Sequence, residues 1–188
     1  MSGQTLHASA TDLLTTWQTA DPHQDSLRHT ILAFLAAAPD GCLRESAAGH
    51  ITASTIVFNS ARTHVLLTLH PRVGKWIQLG GHCEEDDTTI TDAATREAQE
   101  ESGIADLRVI DELVQIHTHP ITCSLGVPTR HLDLRFAAFA EDQADGSLPE
   151  FTQSDESVDL AWWPIDALPQ NTEVPAIPEL ITAALNRF

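Results

Sequence analysis

Glu97, Glu100 and Glu101 lie close together in a stretch rich in helix-forming residues, and their spacing is the first feature of this chain able to do chemistry. On a helix turning 100° per residue the carboxylates share an arc of roughly 100°, with Ile90, Ala93 and Ala94 on the same side one to two turns earlier. A stripe that begins apolar and ends acidic directs its acids toward the protein. Held there, three carboxylates repel one another and lose hydration, at a cost on the order of several kcal/mol. A hard divalent cation, Mg2+ or Mn2+, removes that cost, because it takes carboxylate oxygens and fills its other positions with waters or phosphate oxygens. A bare acidic triplet is also compatible with a solvated helix surface, so the residues upstream decide between the two readings.

Upstream stands Lys75-Trp76-Ile77-Gln78-Leu79-Gly80-Gly81-His82, read as a strand end followed by a double-glycine turn. Residues without a Cβ let backbone carbonyls and amides approach a metal or a phosphate. Arg72 and Lys75, the chain's one lysine, bring positive charge to the mouth of an otherwise acidic site, and His82 is placed to touch phosphate or metal. Trp76 is read as a core residue, with stacking on a base as the alternative. Glycine turn, acidic loop and metal-spaced helix together form one site.

Gly81, followed by Arg96-Glu97-Ala98-Gln99-Glu100-Glu101-Ser102-Gly103-Ile104, resembles the motif of the Nudix hydrolases, G-x5-E-x7-R-E-U-x-E-E-x-G-U with U an apolar residue. The second half fits at every fixed position. The first half is one residue longer: counted from Gly81 the leading glutamate falls on Asp87, and counted back from Arg96 it falls on Thr88. Both ends of the loop are fixed, so the extra residue must bulge within it, and Asp87, Glu84 or Glu85 is expected to contact Arg96 or the metal shell. The resemblance covers about residues 50–168. It implies an α/β/α sandwich and hydrolysis of a nucleoside diphosphate linked to another moiety, with Mg2+ or Mn2+. It further implies Glu97, Glu100 and Glu101 as metal ligands, with the Gly81 carbonyl as a candidate fourth. Candidates for the catalytic base are Glu101, with Glu100 beside it, and Glu156 in a later loop.

A second polar group alternates along two strands. Gln115, His117 and His119 share one face of the first; His131, Asp133 and Arg135 share one face of the second; Ile116, Leu132, Leu134 and Phe136 take the opposite faces. Paired antiparallel, the strands place these polar residues together, as either the substrate cleft or an ordinary wet face. Zinc ligation by this face is the minor reading, since the sequence has no recognisable zinc-ligand spacing.

Helices and strands must position these groups. Leu13, Leu14 and Trp17, then Leu27, Ile31, Phe34 and Leu35, recur at helical spacing and predict two amino-terminal helices, the second stopped by Pro39-Asp40-Gly41. Branched residues from His50 onward predict a hairpin turning at Asn59-Ser60-Ala61-Arg62. The central helix is predicted from Ile90 to Ser102, with a Thr89-Asp92 capping box at its start and Gly103 just beyond its end. A short strand at 158–163 and a last helix after Pro178 complete the pattern; Trp162 and Trp163 cannot both face one side of that strand. The order predicts an α/β fold with a mixed sheet: a helical extension over residues 1–48, then a hydrolase-like domain over residues 49–188 that includes the last helix.

Composition narrows the partners. The 188 residues carry 27 Asp plus Glu against 10 Lys plus Arg, a formal net charge of −17 that opposes nucleic-acid polymers and acidic membranes. No apolar run approaches the ~20 residues of a membrane-spanning helix. The start MSGQTLHASATDLL lacks a secretory pattern, so a cytoplasmic setting is expected. The scattered Cys42, Cys83 and Cys123 are read as free thiols. The functional expectation is a metal-dependent pyrophosphohydrolase acting on a small nucleotide derivative; the alternative is a ligand-sensing or protein-binding module on the same fold. The helical ends and a partly exposed tryptophan are compatible with a homodimer.

Overall fold

A computed structural model of the chain describes residues 2–122, 126, 128–154 and 157–188, with side chains from residue 5 onward. Two helices, α1 (Ser2–Thr16) and α2 (Pro22–Ala37), precede the first strand. There follow β1 (His50–Asn59), β2 (His64–Leu69), β3 (Trp76–Ile77), β4 (Leu79–His82), α3 (Ile90–Ser102), β5 (Gln115–Thr122), β6 (Pro128–Ala140), β7 (Asp159–Pro164) and α4 (Ala176–Arg187). Among the described residues no helix is long and apolar enough to cross a membrane.

The sheet is organised around β1. One edge of β1 pairs in parallel with β6 over its whole length, from His50 beside His131 to Asn59 beside Ala140. Its other edge is shared: the first half pairs antiparallel with β4, the second with β2. β2 continues to β3 and β7, and β6 continues to β5. With both edges paired and both faces covered, every residue of β1 is buried, which explains its run of branched side chains.

Alternation along the strands divides the interior in two. Ile51, Ala53, Val57, Leu66, Leu134 and Phe136 meet apolar residues of α1, α2 and α3. Ile56, Phe58, Val65, Leu67 and Ala137 meet Ile177, Leu180, Ile181 and Ala184 of α4. Trp162 and Trp163 fall on opposite faces, as their adjacency requires, and each packs against a different cluster. Both therefore find cover. Trp76 packs edge-on to Trp163 with ring centroids 5.3 Å apart, so it is a core residue.

The segment after α3 is split near Asp111: Val109 forms one bridge to Ala138, and the strand proper begins at Gln115. One boundary differs from the sequence expectation. α4 begins at Ala176, so Pro178 sits inside its first turn, where its missing N–H has no helical partner to lose. The expected amino-terminal helical extension is present, and it packs into the core. Leu6, Leu14, Ile31 and Leu35 are fully buried or nearly so in the cluster that carries α3. Trp17 Nε1 donates to the Leu113 carbonyl at 2.6 Å. The Gln24 amide both donates to and accepts from the Ile116 backbone, at 2.9 and 2.7 Å, and so occupies part of the outer edge of β5.

α3 is delimited as its ends require. Thr89 and Asp92 form the reciprocal capping box at 3.0 Å each way, and Gly103, with φ 68°, closes the other end.

The shared core predicts one cooperative transition. Leu14→Ala should lower the stability of the whole chain by about 2–5 kcal/mol, the usual range for a fully buried leucine. Denaturant unfolding followed by both tryptophan fluorescence and far-UV circular dichroism should give coincident midpoints. A separate early transition for the helices would show that they fold apart from the sheet.

Candidate functional site

α3 lies against β1 and β4, and its inner face carries Ile90, Ala93, Ala94, Glu97, Ala98 and Glu101, all buried. The last two turns can come this close because β4 contributes Gly80 and Gly81. A Cβ built on Gly81 would stand 2.7 Å from Oε2 of Glu97, so the carboxylate occupies the space a side chain would fill. Gly80, at φ 137°, adopts a backbone conformation closed to other residues, and its N–H donates to Glu101 Oε2 at 3.1 Å. Glu97 and Glu101 are 9% and 7% exposed, while the Glu100 side chain is largely in solvent.

Arg96 holds this acidic group together. Its Nε and Nη2 form a bidentate pair with Asp87 at 3.1 and 3.0 Å; Nη1 reaches Glu97 at 3.0 Å and Glu100 at 3.1 Å; Nη2 also donates to the His82 carbonyl at 2.9 Å. Burial alone would weaken the guanidinium's hold on its proton, but the hydrogen bonds and charges of Asp87 and Glu97 override it and raise its pKa. Of the loop acids expected to meet Arg96, Asp87, at 6% exposure, is the one that pairs with it. The extra loop residue is taken up in a turn at 84–87, where the Glu84 N–H donates to Asp87 Oδ2 at 2.7 Å and the Asp87 N–H to the Glu84 carbonyl at 3.1 Å.

Beside this group opens a cleft of about 510 Å3, lined by Glu97, Glu100, Glu101, Gly80, Gly81 and Arg96 from one side and by His82, His119, His131 and Asp133 from another. Arg44 and Arg72 stand in its wall, together with Thr52, Ser54, Gln78 and Glu84. The register of β5 on β6 is His117 opposite Asp133 and His119 opposite His131, so the alternating polar residues do share one face. That face is a continuous row of imidazoles. Ring centroids are 5.5 Å apart for His117 and His119, 5.1 Å for His119 and His131, 5.0 Å for His131 and His82, and 5.1 Å for His82 and His50. Burial lowers the pKa of each: His82 and His117 to about 4, His131 to about 3, and His50 and His119 by a smaller amount. All five are neutral imidazoles at neutral pH.

Some expected ligands stand elsewhere. Arg135 is 1% exposed and does not line the cleft; its Nε donates to Asp133 Oδ2 at 2.8 Å and its Nη1 to Gln115 at 3.2 Å. A guanidinium inside the sheet requires such partners, so it supports the cleft floor from below. Full burial would raise the Asp133 carboxyl, but Arg135 and the Ser54 hydroxyl hold its pKa below the ordinary range, and the Thr52 hydroxyl donates to its other oxygen at 3.0 Å. His117 belongs to the row but lies outside the cleft wall. Lys75 sits in a turn closed by the His70 N–H on its carbonyl, away from the cleft lining. Glu156 and Cys123 lie outside the described residues; Cys42 and Cys83 are free and buried. Sequence reasoning missed His50, Gln78 and Arg44. Only strand pairing brings His50 and Gln78 to the other polar groups.

The model of the Nudix domain family matches residues 49–184. No curated protein matches the chain significantly. Among solved structures, a Nudix-family hydrolase from Clostridium perfringens is 25% identical, covering 71% of this chain and 95% of its own at a TM-score of 0.52. The Escherichia coli dihydroneopterin triphosphate pyrophosphohydrolase is 19% identical over 73% of this chain and 96% of its own, at a TM-score of 0.57. A Caenorhabditis elegans Ap4A hydrolase, in a binary complex, is 17% identical over 71% and 93%, at a TM-score of 0.52. The last two likenesses are of fold; the family match covers most of the chain and includes the arginine–glutamate helix, so this protein belongs to the Nudix family.

Proposed function

We propose that the protein is a divalent-metal-dependent hydrolase that cleaves a diphosphate linkage in a small nucleotide derivative. The observation that carries this reading is the pair of buried carboxylates, Glu97 and Glu101, packed against Gly80 and Gly81 in the wall of a cleft of about 510 Å3. That volume suits a nucleotide-sized ligand. The donors are hard oxygens, and the side-chain space above Gly81 is given up to one of them, which fits Mg2+ or Mn2+. Glu97, Glu100 and Glu101, with the Gly81 carbonyl, would hold the ion, which when bound neutralises charge on the diphosphate and activates water.

The chain's own residues supply the rest. Arg44 and Arg72 draw phosphate into a protein that otherwise repels it. His82, His119 and His131 offer neutral imidazoles as hydrogen-bond partners for phosphate or ribose oxygens. Arg96 keeps Glu97 and Glu100 in place, and Asp87 keeps Arg96 in place. Glu101, anchored by the Gly80 N–H, takes the proton of the attacking water. The names Ap4A hydrolase and dihydroneopterin triphosphate pyrophosphohydrolase, borne by two of the structural neighbours, support the same substrate class.

Product release from nucleoside diphosphate sugars, dinucleoside polyphosphates, NADH and nucleoside triphosphates, with Mg2+ or Mn2+, tests the reading directly. Turnover of at least one class is expected. No turnover of any, together with tight binding of one, would instead establish a ligand-sensing module.

Glu101→Gln should reduce kcat/KM by about 100-fold or more while leaving the metal-free melting temperature unchanged, because an amide can still accept the Gly80 N–H and one repelling charge is gone. A large loss of metal-free stability would show Glu101 to be a structural partner.

Asp87→Ala removes the bidentate partner of Arg96 and should destabilise the protein by about 1–3 kcal/mol. Glu85→Ala, in the same loop, should stay within about 0.5 kcal/mol of wild type in the same urea titration.

The neutral histidines also set an acid limit. Their folded-state pKa values lie below the ~6.5 of an exposed histidine, so the unfolded chain binds protons first as pH falls. Metal-free stability should be full above pH ~6.5 and decline toward the values of about 4 for His82 and His117 and about 3 for His131. Urea midpoints that stay flat from pH 7.5 to 5 would contradict this.

A further inference from the structure

Three members of the histidine row, His50, His82 and His131, form a compact group of their own. His50 opens β1, His131 lies directly beside it on β6, and His82 ends β4 opposite Thr52. These residues are 32 and 49 positions apart in sequence, yet their ring centroids are 5.0–5.1 Å apart in every pairing. One ring nitrogen of each lies within 4.8 Å of the other two.

The nitrogens of His50 and His131 are in an unusual state. Nδ1 of His50 stands 3.2 Å from the Ser46 carbonyl oxygen, so it carries the proton and donates, which leaves Nε2 as a bare lone pair. That Nε2 and the Nε2 of His131 are both buried with no hydrogen-bond partner among the described residues, and His50 is 1% exposed. Buried polar atoms are nearly always satisfied, so two unpartnered nitrogens within one histidine triangle call for a bound species. A histidine that donates its far N–H to a backbone carbonyl while presenting the other nitrogen is the usual posture of a metal-binding imidazole. Burial, the largest influence on His50 and His131, keeps them neutral as ligands must be.

We propose that His50, His82 and His131 form a transition-metal site of the Zn2+ class at the histidine end of the cleft, separate from the carboxylate site on α3. Three imidazoles and, among the described residues, no carboxylate within the group favour Zn2+, Co2+ or Ni2+ over Mg2+ or Ca2+. Zinc holds imidazole nitrogens at ~2.0–2.1 Å from the ion, so the three nitrogens would draw closer together on binding. Three protein ligands leave a fourth position, on the side of the cleft that His82 and His131 line, for water or a phosphate oxygen of a bound ligand. The site would thus add positive charge opposite the acidic helix, and it stands whether or not the protein is a hydrolase.

The experiment uses the full chain, stripped with chelator and reloaded with Zn2+ or Co2+. Zn2+ retained after gel filtration is measured by mass spectrometry, and Co2+ is read by its visible ligand-field absorption. Wild type should retain one equivalent of Zn2+ and give the intense spectrum of four-coordinate, nitrogen-bound Co2+. His131→Ala and His82→Gln should each weaken Zn2+ binding by about 100-fold or more and abolish that spectrum, whereas Glu101→Gln should leave both unchanged. His82→Gln, at the cleft surface, carries the test if His131→Ala does not fold, as judged by circular dichroism. Failure of wild type to retain Zn2+ would assign the triangle to water and overturn the proposal. Retention by both histidine variants, or loss in Glu101→Gln alone, would place the ion on the carboxylates and overturn it equally.

Discussion

The close approach of α3 to β4 is the constraint on which the rest of this structure depends. A helix carrying three glutamates in its last two turns can lie against a sheet only where the strand beneath has no side chains to offer. Gly80 and Gly81 meet that condition, and the Glu97 carboxylate fills the space that a Cβ on residue 81 would take. Close approach brings a charge problem with it. Glu97, Glu101 and Asp87 are all buried, and Arg96 is the cation that reaches Asp87, Glu97 and Glu100 together. A single guanidinium offers five donors in a fixed fork, which is why one arginine can serve three carboxylates and a carbonyl where a lysine could not.

The cleft floor applies the same logic at a second place. Asp133 and Arg135 lie two residues apart on β6, both almost fully buried, and desolvating such a pair is costly unless every lone pair and N–H is used. Here Asp133 accepts from Thr52, Ser54 and Arg135, with the Gln78 amide at 3.4 Å, while Arg135 also reaches Gln115. The partners come from β1, the β3–β4 junction and β5, so the pair ties together the strands that carry the cleft. Removing either charge would leave the other stranded, which makes this network a positioning device for the histidines around it.

How much of this was legible in the sequence depends on whether a feature is local. The helix from Ile90 to Ser102, its Thr89-Asp92 box and Gly103 were readable because caps act over three or four residues. The shared polar face of β5 and β6 was readable because alternation and a hairpin-like order leave few registers. Arg135 was misplaced because alternation gives the face of a side chain and not its depth. The integration of α1 and α2 into the core was hidden for a similar reason: helical spacing shows that a helix has an apolar face, not which surface receives it. His50 was invisible as a functional residue, since its role follows from the parallel pairing of β1 with β6, a contact across 81 residues.

That parallel pairing links the two halves of the site. Because side chains alternate with a period of two, a shift of one residue between β1 and β6 would send His50, Thr52 and Ser54 to the opposite face from Asp133 and His131. The Asp133 carboxylate accepts from Thr52 on one oxygen and Ser54 on the other, a fit available in one register only. The same register puts His50 beside His131 and, through β4, His82 next to both. β4 in turn fixes Gly80 and Gly81 under the glutamates. The buried aspartate therefore sets the register from which the histidine triangle and the carboxylate site both follow, and the distance between them is determined by backbone pairing and not by flexible loops. A ligand spanning the cleft meets two chemically different ends, one of hard oxygens and one of imidazole nitrogens, held at a constant separation by β1.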